Sequence, residues 1–349
     1  MIKYEQIIIY YFSGTGNARN AAHWFKQVAD ANQLETKLIN IDRFEKIDIP
    51  DISKKNLIGF CSPTHGFNLP HIMLKFIMKF PKLKNADVFI MNTRGGLKLS
   101  KIFLPGLSGL AQILPALILI LKSYRVVGMQ PLDLPSNWLF LHPGLKTNVV
   151  NSMQERIKKI TENFATRLIV GKTKYKALLS LPFDIAITPI AVGYFLVGRF
   201  FLAKTLMVNY NCNSCMKCIN ECPVEAIKQK KQLFWSYKCE GCMRCINSCP
   251  KRAIEIVHGF SFGMILIWAF VLLPGLILLL KYLGLKIENP DIWLDVFLRI
   301  LKPAIFITFV FLSYRMVNVL MRHGWIHRFI MYTSLSRYKF WRRYKAPHF

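Results

Sequence analysis

"QIIIYYFSGTGNARNAAHWFKQV", residues 6–28, passes from one kind of sequence to another within a few positions. Ile7 to Phe12 are apolar or aromatic without alternation, which reads as a strand buried on both faces. A Ser-Gly-Thr-Gly-Asn turn follows, and a helical pattern then runs over 17–33. Four further runs have the character of the first: "TKLINI" (36–41), "NLIGFCS" (56–62), "DVFIMNT" (87–93) and "YRVVGMQ" (124–130). Helical stretches such as 69–80 lie between them. Continuous apolar strands with helical crossovers predict a doubly wound parallel sheet covered on both faces.

The turn after the first strand suits a phosphate, because backbone N–H groups at a helix N-terminus are joined there by the hydroxyls of Ser13 and Thr15. Two later loops, "SPTHG" (62–66) and "NTRGG" (92–96), stand at carboxyl ends of strands, where α/β ligands bind. Over residues 5–150 these three loops resemble the flavodoxin family, in which they grip the phosphate and both sides of the FMN ring. The resemblance implies a flavodoxin-like α/β domain over residues 1–150. It implies an FMN phosphate near Ser13, Gly14, Thr15, Gly16, Asn17 and Ala18. The isoalloxazine would be bordered by Pro63, Thr64, His65 and Gly66 on one side and Thr93, Arg94, Gly95 and Gly96 on the other. Ala18 replaces a hydroxyl usual in flavodoxins, a lost hydrogen bond worth ~1 kcal/mol. His65 stands where an aromatic ring often stacks; stacking, hydrogen bonding near the ring and a structural turn are all open to it. An empty fold used as scaffold is the alternative, and Cys61 reads as a small apolar residue.

Eight of nine cysteines fall in two runs, "CNSCMKCINECP" (212–223) and "CEGCMRCINSCP" (239–250). Each is C-x2-C-x2-C-x3-C-P. The offset is 27 residues, and ten of sixteen positions from Cys212 and from Cys239 are identical. Three closely spaced thiolates wrap one corner of a cubane iron–sulfur cluster, and in duplicated motifs of this spacing the fourth serves the other cluster. This predicts two [4Fe-4S] clusters in a domain over 208–257. Cys212, Cys215, Cys218 and Cys249 would hold one, and Cys239, Cys242, Cys245 and Cys222 the other. Zinc, which CxxC pairs also bind, is the competing reading. The segment resembles a bacterial-type two-cluster ferredoxin, a small α+β domain. Unlike most of these it is basic, with Lys228, Lys230 and Lys231 in one loop suited to an acidic docking face, to lipid headgroups or simply to solvent.

The order of the two domains is similar to that of prokaryotic flavodoxin–ferredoxin fusion proteins of the EFR type. "VVGMQPLDLPSNW" (126–138) and "GRFFLAK" (198–204) also resemble connecting segments of that family. Asp133, Asn137 and Trp138 would either line the flavin or close the interdomain joint. The resemblance implies an electron-transfer protein acting with a redox partner, and a reductase of a lipid-soluble substrate is the alternative. No second nucleotide-binding domain is visible to oxidise NAD(P)H.

The composition directs the chain to a membrane. Hydrophobic residues make up 53% of its 349 positions, yet 47 Lys and Arg face 19 acids. Membrane lipids fit this balance better than nucleic acid, for which no groove-reading or base-stacking signature is present. No secretory signal is visible at the N-terminus, and cytoplasmic cofactor domains are expected. Residues 260–280 carry no charge and are long enough to span, while 303–321 are interrupted by Arg315. A transmembrane hairpin over 258–321 would return the basic tail, 322–349, to the cytoplasm. Residues 151–207 read as a basic amphipathic helix followed by an apolar connector, in-plane or re-entrant, broken by Pro182, Asp184 and Pro189. Truncation after Val257 is then expected to leave the cofactor domains intact.

Overall fold

In the computed structural model the residues described are all except Met1, Ile52, Lys84, Asn85, Lys230, Lys231, 286–290, Arg342, His348 and Phe349. Two residues of the predicted basic loop, Lys230 and Lys231, therefore lie outside them. The first strand, β1 (Gln6–Tyr11), is followed by α1 (Asn17–Ala31), β2 (Glu35–Asn40), β3 (Asn56–Pro63), α2 (His71–Lys79), β4 (Ala86–Leu99) and β5 (Ile102–Leu104). Then come α3 (Leu110–Leu121), β6 (Arg125–Pro135), α4 (Thr147–Ile169) and β7 (Lys174–Tyr175). The spatial order β2-β1-β3-β4-β6 is the doubly wound flavodoxin-like one, all parallel, with β7 beyond β6. Apolar clusters cover both faces. One is built on Trp24, Phe25, Phe89 and Phe164, the other on Tyr10, Phe60, Phe76 and Phe80.

Two strands run further than their apolar cores predict. β4 and β6 stay paired through Arg94↔Asp133 and Gly96↔Pro135, past the carboxyl edge of the other strands. The β4–β5 pair then forms an antiparallel hairpin. The β4–β6 extension comes from pairing between segments separated by α3, which local periodicity does not encode.

The expectation of a basic amphipathic helix standing outside the first domain, at the start of residues 151–207, is corrected. Ile157, Phe164 and Leu168 are buried against α1 and β6 in the first cluster, so α4 is an element of the flavodoxin-like domain and has no apolar face left for a membrane. Residues 176–203 form two short helices, Lys176–Ala186 and Thr188–Ala203, bent by 77°.

The cysteine-rich domain closes with β8 (Leu206–Val208) paired to β11 (Ile254–Ile256), and β9 (Ile227–Gln229) paired to β10 (Leu233–Trp235). His258–Tyr282 and Ile292–Leu320, 25 and 29 residues long, are each apolar enough to cross a membrane. Arg315 sits over the ring of Phe311, at 5.3 Å.

The tail is bound to the rest of the chain: residues 338–341 and 343–347 lie along the cysteine-rich domain and reach the first loop of the flavodoxin-like one. Trp341 donates to the Leu139 carbonyl at 2.7 Å, Arg343 pairs with buried Glu255 at 3.1 Å, and Ala346 N–H donates to the Thr15 carbonyl at 2.8 Å.

Candidate functional site

The turn after β1 closes as its composition requires. Gly16 adopts φ 108°, a left-handed conformation open to glycine, and its N–H donates to the Ser13 hydroxyl at 3.1 Å. A cavity of about 40 Å³ is lined there by Ser13, Gly14, Thr15, Asn17, Ala18, Thr64, Thr93, Arg94 and Gly95. The loops predicted from separate parts of the chain thus meet at one place. Not every side chain is free to face it. The Thr15 hydroxyl accepts from Asn137 at 2.8 Å, and the Asn17 side chain is taken up by Tyr344, Gln154 and the Pro135 carbonyl. Arg94 is turned back onto Asp133 and Ser108. Cys61 donates its thiol to the Ala18 carbonyl and is fully buried, which raises its pKa.

A second cavity, about 240 Å³, adjoins the first and shares Thr64, Gly95, Ser136 and Asn137 with it. His65, Gly66, Phe67, Leu107, Trp138, Leu141, His142, Tyr194 and Gly241 complete it. His65 is 9% exposed, and among the described residues neither its ring nitrogens nor the Trp138 indole N–H has a partner with hydrogen-bonding geometry. Burial lowers the His65 pKa, so the ring is neutral, although Glu240 opposes the shift. Gly66, at φ 53°, has no room for a side chain, since a Cβ would fall 2.0 Å from the Tyr194 ring. Orphaned donors beside a space walled by aromatic rings fit a planar heteroaromatic ring, and the adjoining loop fits its phosphate. These observations accord with a flavin. Tyr194 and Gly241 had no local signal in the sequence, because the first comes from the apolar connector and the second from the cysteine motif.

The cysteine motifs repeat in three dimensions. Ser214, Met216 and Glu225 have φ of 55°, 57° and 51°, and their counterparts 27 residues on, Gly241, Met243 and Arg252, have 63°, 58° and 49°. Cys222 Sγ accepts from Ala226 N–H at 3.2 Å, and Cys249 Sγ from Ala253 N–H at 3.3 Å. Cys222 lies within electrostatic range of Cys239, Cys242 and Cys245, whereas Cys218 feels Cys249 and Cys212. Cys215 is exposed. Among the described residues no three His, Cys, Asp or Glu side chains are grouped at the spacing of one ion's ligands. An inorganic core of several atoms needs wider spacing than that. Burial pushes the Cys218 thiol up to about 11 and Cys242 to about 12, so metal binding there must displace protons.

The two sites are adjacent. A Cβ on Gly14 would meet the Cys242 carbonyl at 2.2 Å, so the phosphate-type loop rests directly on the second cysteine motif. Arg244 donates to the Ser13 carbonyl at 2.7 Å and pairs with Asp42. Glu240 accepts from the N–H groups of His71 and Ile72, at 2.9 and 3.0 Å, at the N-terminus of α2. Arg43 returns the contact by donating to the carbonyls of Ile219, Asn220 and Cys222.

Residues 206–250 match the family described as 4Fe-4S dicluster domain. The chain joins such a domain to a flavodoxin-like one. Comparison with curated proteins returns no match. Solved structures similar to part of the chain include oxidised flavodoxin 2 from Bacillus cereus, 16% identical over 46% of this chain and 99% of that one, TM-score 0.31. A flavodoxin from the domain Archaea is 13% identical over 47% and 98%, TM-score 0.27. Rubredoxin oxygen:oxidoreductase from Desulfovibrio gigas is 15% identical, TM-score 0.30; the match covers 47% of this chain and 36% of that longer one.

Proposed function

We propose that this is a membrane-anchored electron-transfer protein that binds FMN and two [4Fe-4S] clusters and exchanges electrons with a membrane-associated redox partner. When bound, the flavin supplies one- and two-electron chemistry and the clusters one-electron chemistry, while the chain sets position and potential. Ser13, Thr15, Gly16 and the Asn17 backbone would hold the phosphate. His65, Trp138 and Tyr194 would surround the ring, and the eight motif cysteines would hold the clusters in the exchanged arrangement. The observation that carries the reading is the seam itself: Gly14 packs on Cys242, and Gly241 lines the ring cavity. Electron transfer demands such proximity, and a scaffold does not.

The two long apolar helices would anchor the chain. By the positive-inside rule the cofactor domains and the basic tail would lie on the cytoplasmic side. A second reading, direct reduction of a lipid-soluble substrate, is favoured by Leu141, 56% exposed beside the ring cavity.

Anaerobic purification tests the assignment. The protein should carry about eight iron atoms and one FMN per chain. Cys222→Ser should alter the spectrum of the cluster held by the second motif while sparing the other. Zinc in place of iron overturns the reading, and loss of the first-motif cluster overturns the ligand exchange.

A further inference from the structure

The β4–β5 hairpin exposes a face that no element among the described residues covers. Its register pairs Leu97 with Leu104 and Leu99 with Ile102, so the four aliphatic side chains share one side. They are 50%, 41%, 60% and 65% exposed, respectively. The other side is already in use: Lys98 pairs with Phe103 across the ladder, and Arg156 of α4 stacks on the Phe103 ring at 4.2 Å.

This face is connected to the apolar region that follows α4. Shortly after the hairpin, Ser108 and Gly109 N–H groups donate to Asp184 at 2.9 and 2.7 Å, which fixes the bent helical pair beside it. On that pair Leu179, Phe183, Ile185 and Ile190 are each more than half exposed. The same pair packs on the second long apolar helix, where the Phe201 and Phe306 rings stack with centroids 6.0 Å apart. Leu107 from the hairpin side and Tyr194 from the helical pair both line the ring cavity.

We propose that the hairpin face and the bent pair together form a membrane seat, with the bilayer as occupant, that lays the carboxyl edge of the sheet and the ring cavity against the lipid. The proposal rests on the membrane-anchored reading above. Three features select lipid over a protein partner. The apolar surface continues into helices long enough to span. A 77° bend lets the pair enter and leave the apolar layer with its backbone hydrogen-bonded. Lys101 on the hairpin, Lys172 just before the pair and Lys176 at its start are exposed and open to anionic headgroups.

The test uses the full chain in vesicles of equal parts phosphatidylcholine and phosphatidylglycerol. An environment-sensitive fluorescent amino acid replaces Leu99 or Ile190, with Lys55, exposed at the opposite edge of the sheet, as reference. All three positions are exposed or largely so, and the substitutions leave the core alone. Nitroxide-bearing lipids should remove most of the emission at 99 and 190 and none at 55, and aqueous iodide should do the reverse. Iodide quenching at 99 equal to that at 55 overturns the proposal. Protection of 99 from both quenchers also overturns it, since a protein would then cover the face. Iron and flavin measured on the same samples report separately on the electron-transfer reading, which can fail while lipid quenching persists.

Discussion

Gly66 carries the sharpest demand on residue type at the ring cavity. Its φ of 53° is left-handed, and the Tyr194 ring occupies the place of its missing side chain. Gly66→Ala combines a backbone cost of about 1 kcal/mol with a clash against a ring that is itself packed edge-on to Trp138. Flavin content should fall while iron content holds, and Tyr194→Ala in the same chain should restore part of it by making room. Unchanged flavin in the single variant would show that this cavity is not the ring site. His65 is legible in the sequence as a residue between two strands, but its burial and orphaned nitrogens are not. They result from the approach of residues 138, 194 and 241, far away in the chain.

At the scale of elements, the cysteine repeat is the most legible part, since spacing alone dictates which thiols can share a corner. What attaches it to its neighbours was hidden. Lys204 is wholly buried at the end of the bent pair, donates to the Trp235 carbonyl and lies within 5 Å of the rings of Phe234, Tyr237 and Tyr314. These rings favour the ammonium, which bonds the connector, the cysteine domain and the second long helix together. Desolvation nonetheless pushes its pKa down to about 8, with Cys239 opposing. An unfolded lysine titrates near ~10.4. Below pH about 8 both states hold the proton and the burial penalty is present in full; between about 8 and ~10.4 only the unfolded chain keeps it, so stability climbs with pH. The melting temperature of the wild type should rise over that range relative to Lys204→Met, which lacks the group. Parallel pH profiles for the two proteins would contradict this.

Over the whole molecule, the C-terminal segment ties the parts together, contrary to the expectation that everything after Val257 can be removed. Glu255, 2% exposed, is held by Arg343 and by the Ser336 hydroxyl at 2.6 Å, and Ser336 also accepts from Ile256 N–H at 2.9 Å. Tyr344 bonds Asn17 and Gln154 behind the first loop. Truncation after Val257 strips these partners and leaves the carboxylate only the Asn209 amide, which donates to it at 3.0 Å. The truncated protein should be recovered with reduced iron and flavin and a lowered melting temperature. Recovery with full cofactor content would show that the segment is dispensable. Arg343→Met isolates the ion pair from the loss of the helices and should destabilise in the same direction.

The sequence by itself determined the parallel α/β domain, the duplicated cysteine motifs and the two apolar helices. Each is written in local features: apolar runs of strand length, a 27-residue repeat of spacing, and uncharged stretches of membrane length. Only the tertiary structure decided that α4 belongs to the sheet's covering layer, that β4 and β6 outrun their neighbours, and that residues 343–347 reach the first loop. Only there does the second motif rest on Gly14, with Glu240 on the start of α2 and Arg244 on Asp42 and Ser13. The physical reason is the range of the forces involved. Periodicity and spacing record what a segment needs of its own backbone, whereas a charge at a helix end or a glycine under a carbonyl takes its meaning from a partner hundreds of residues away.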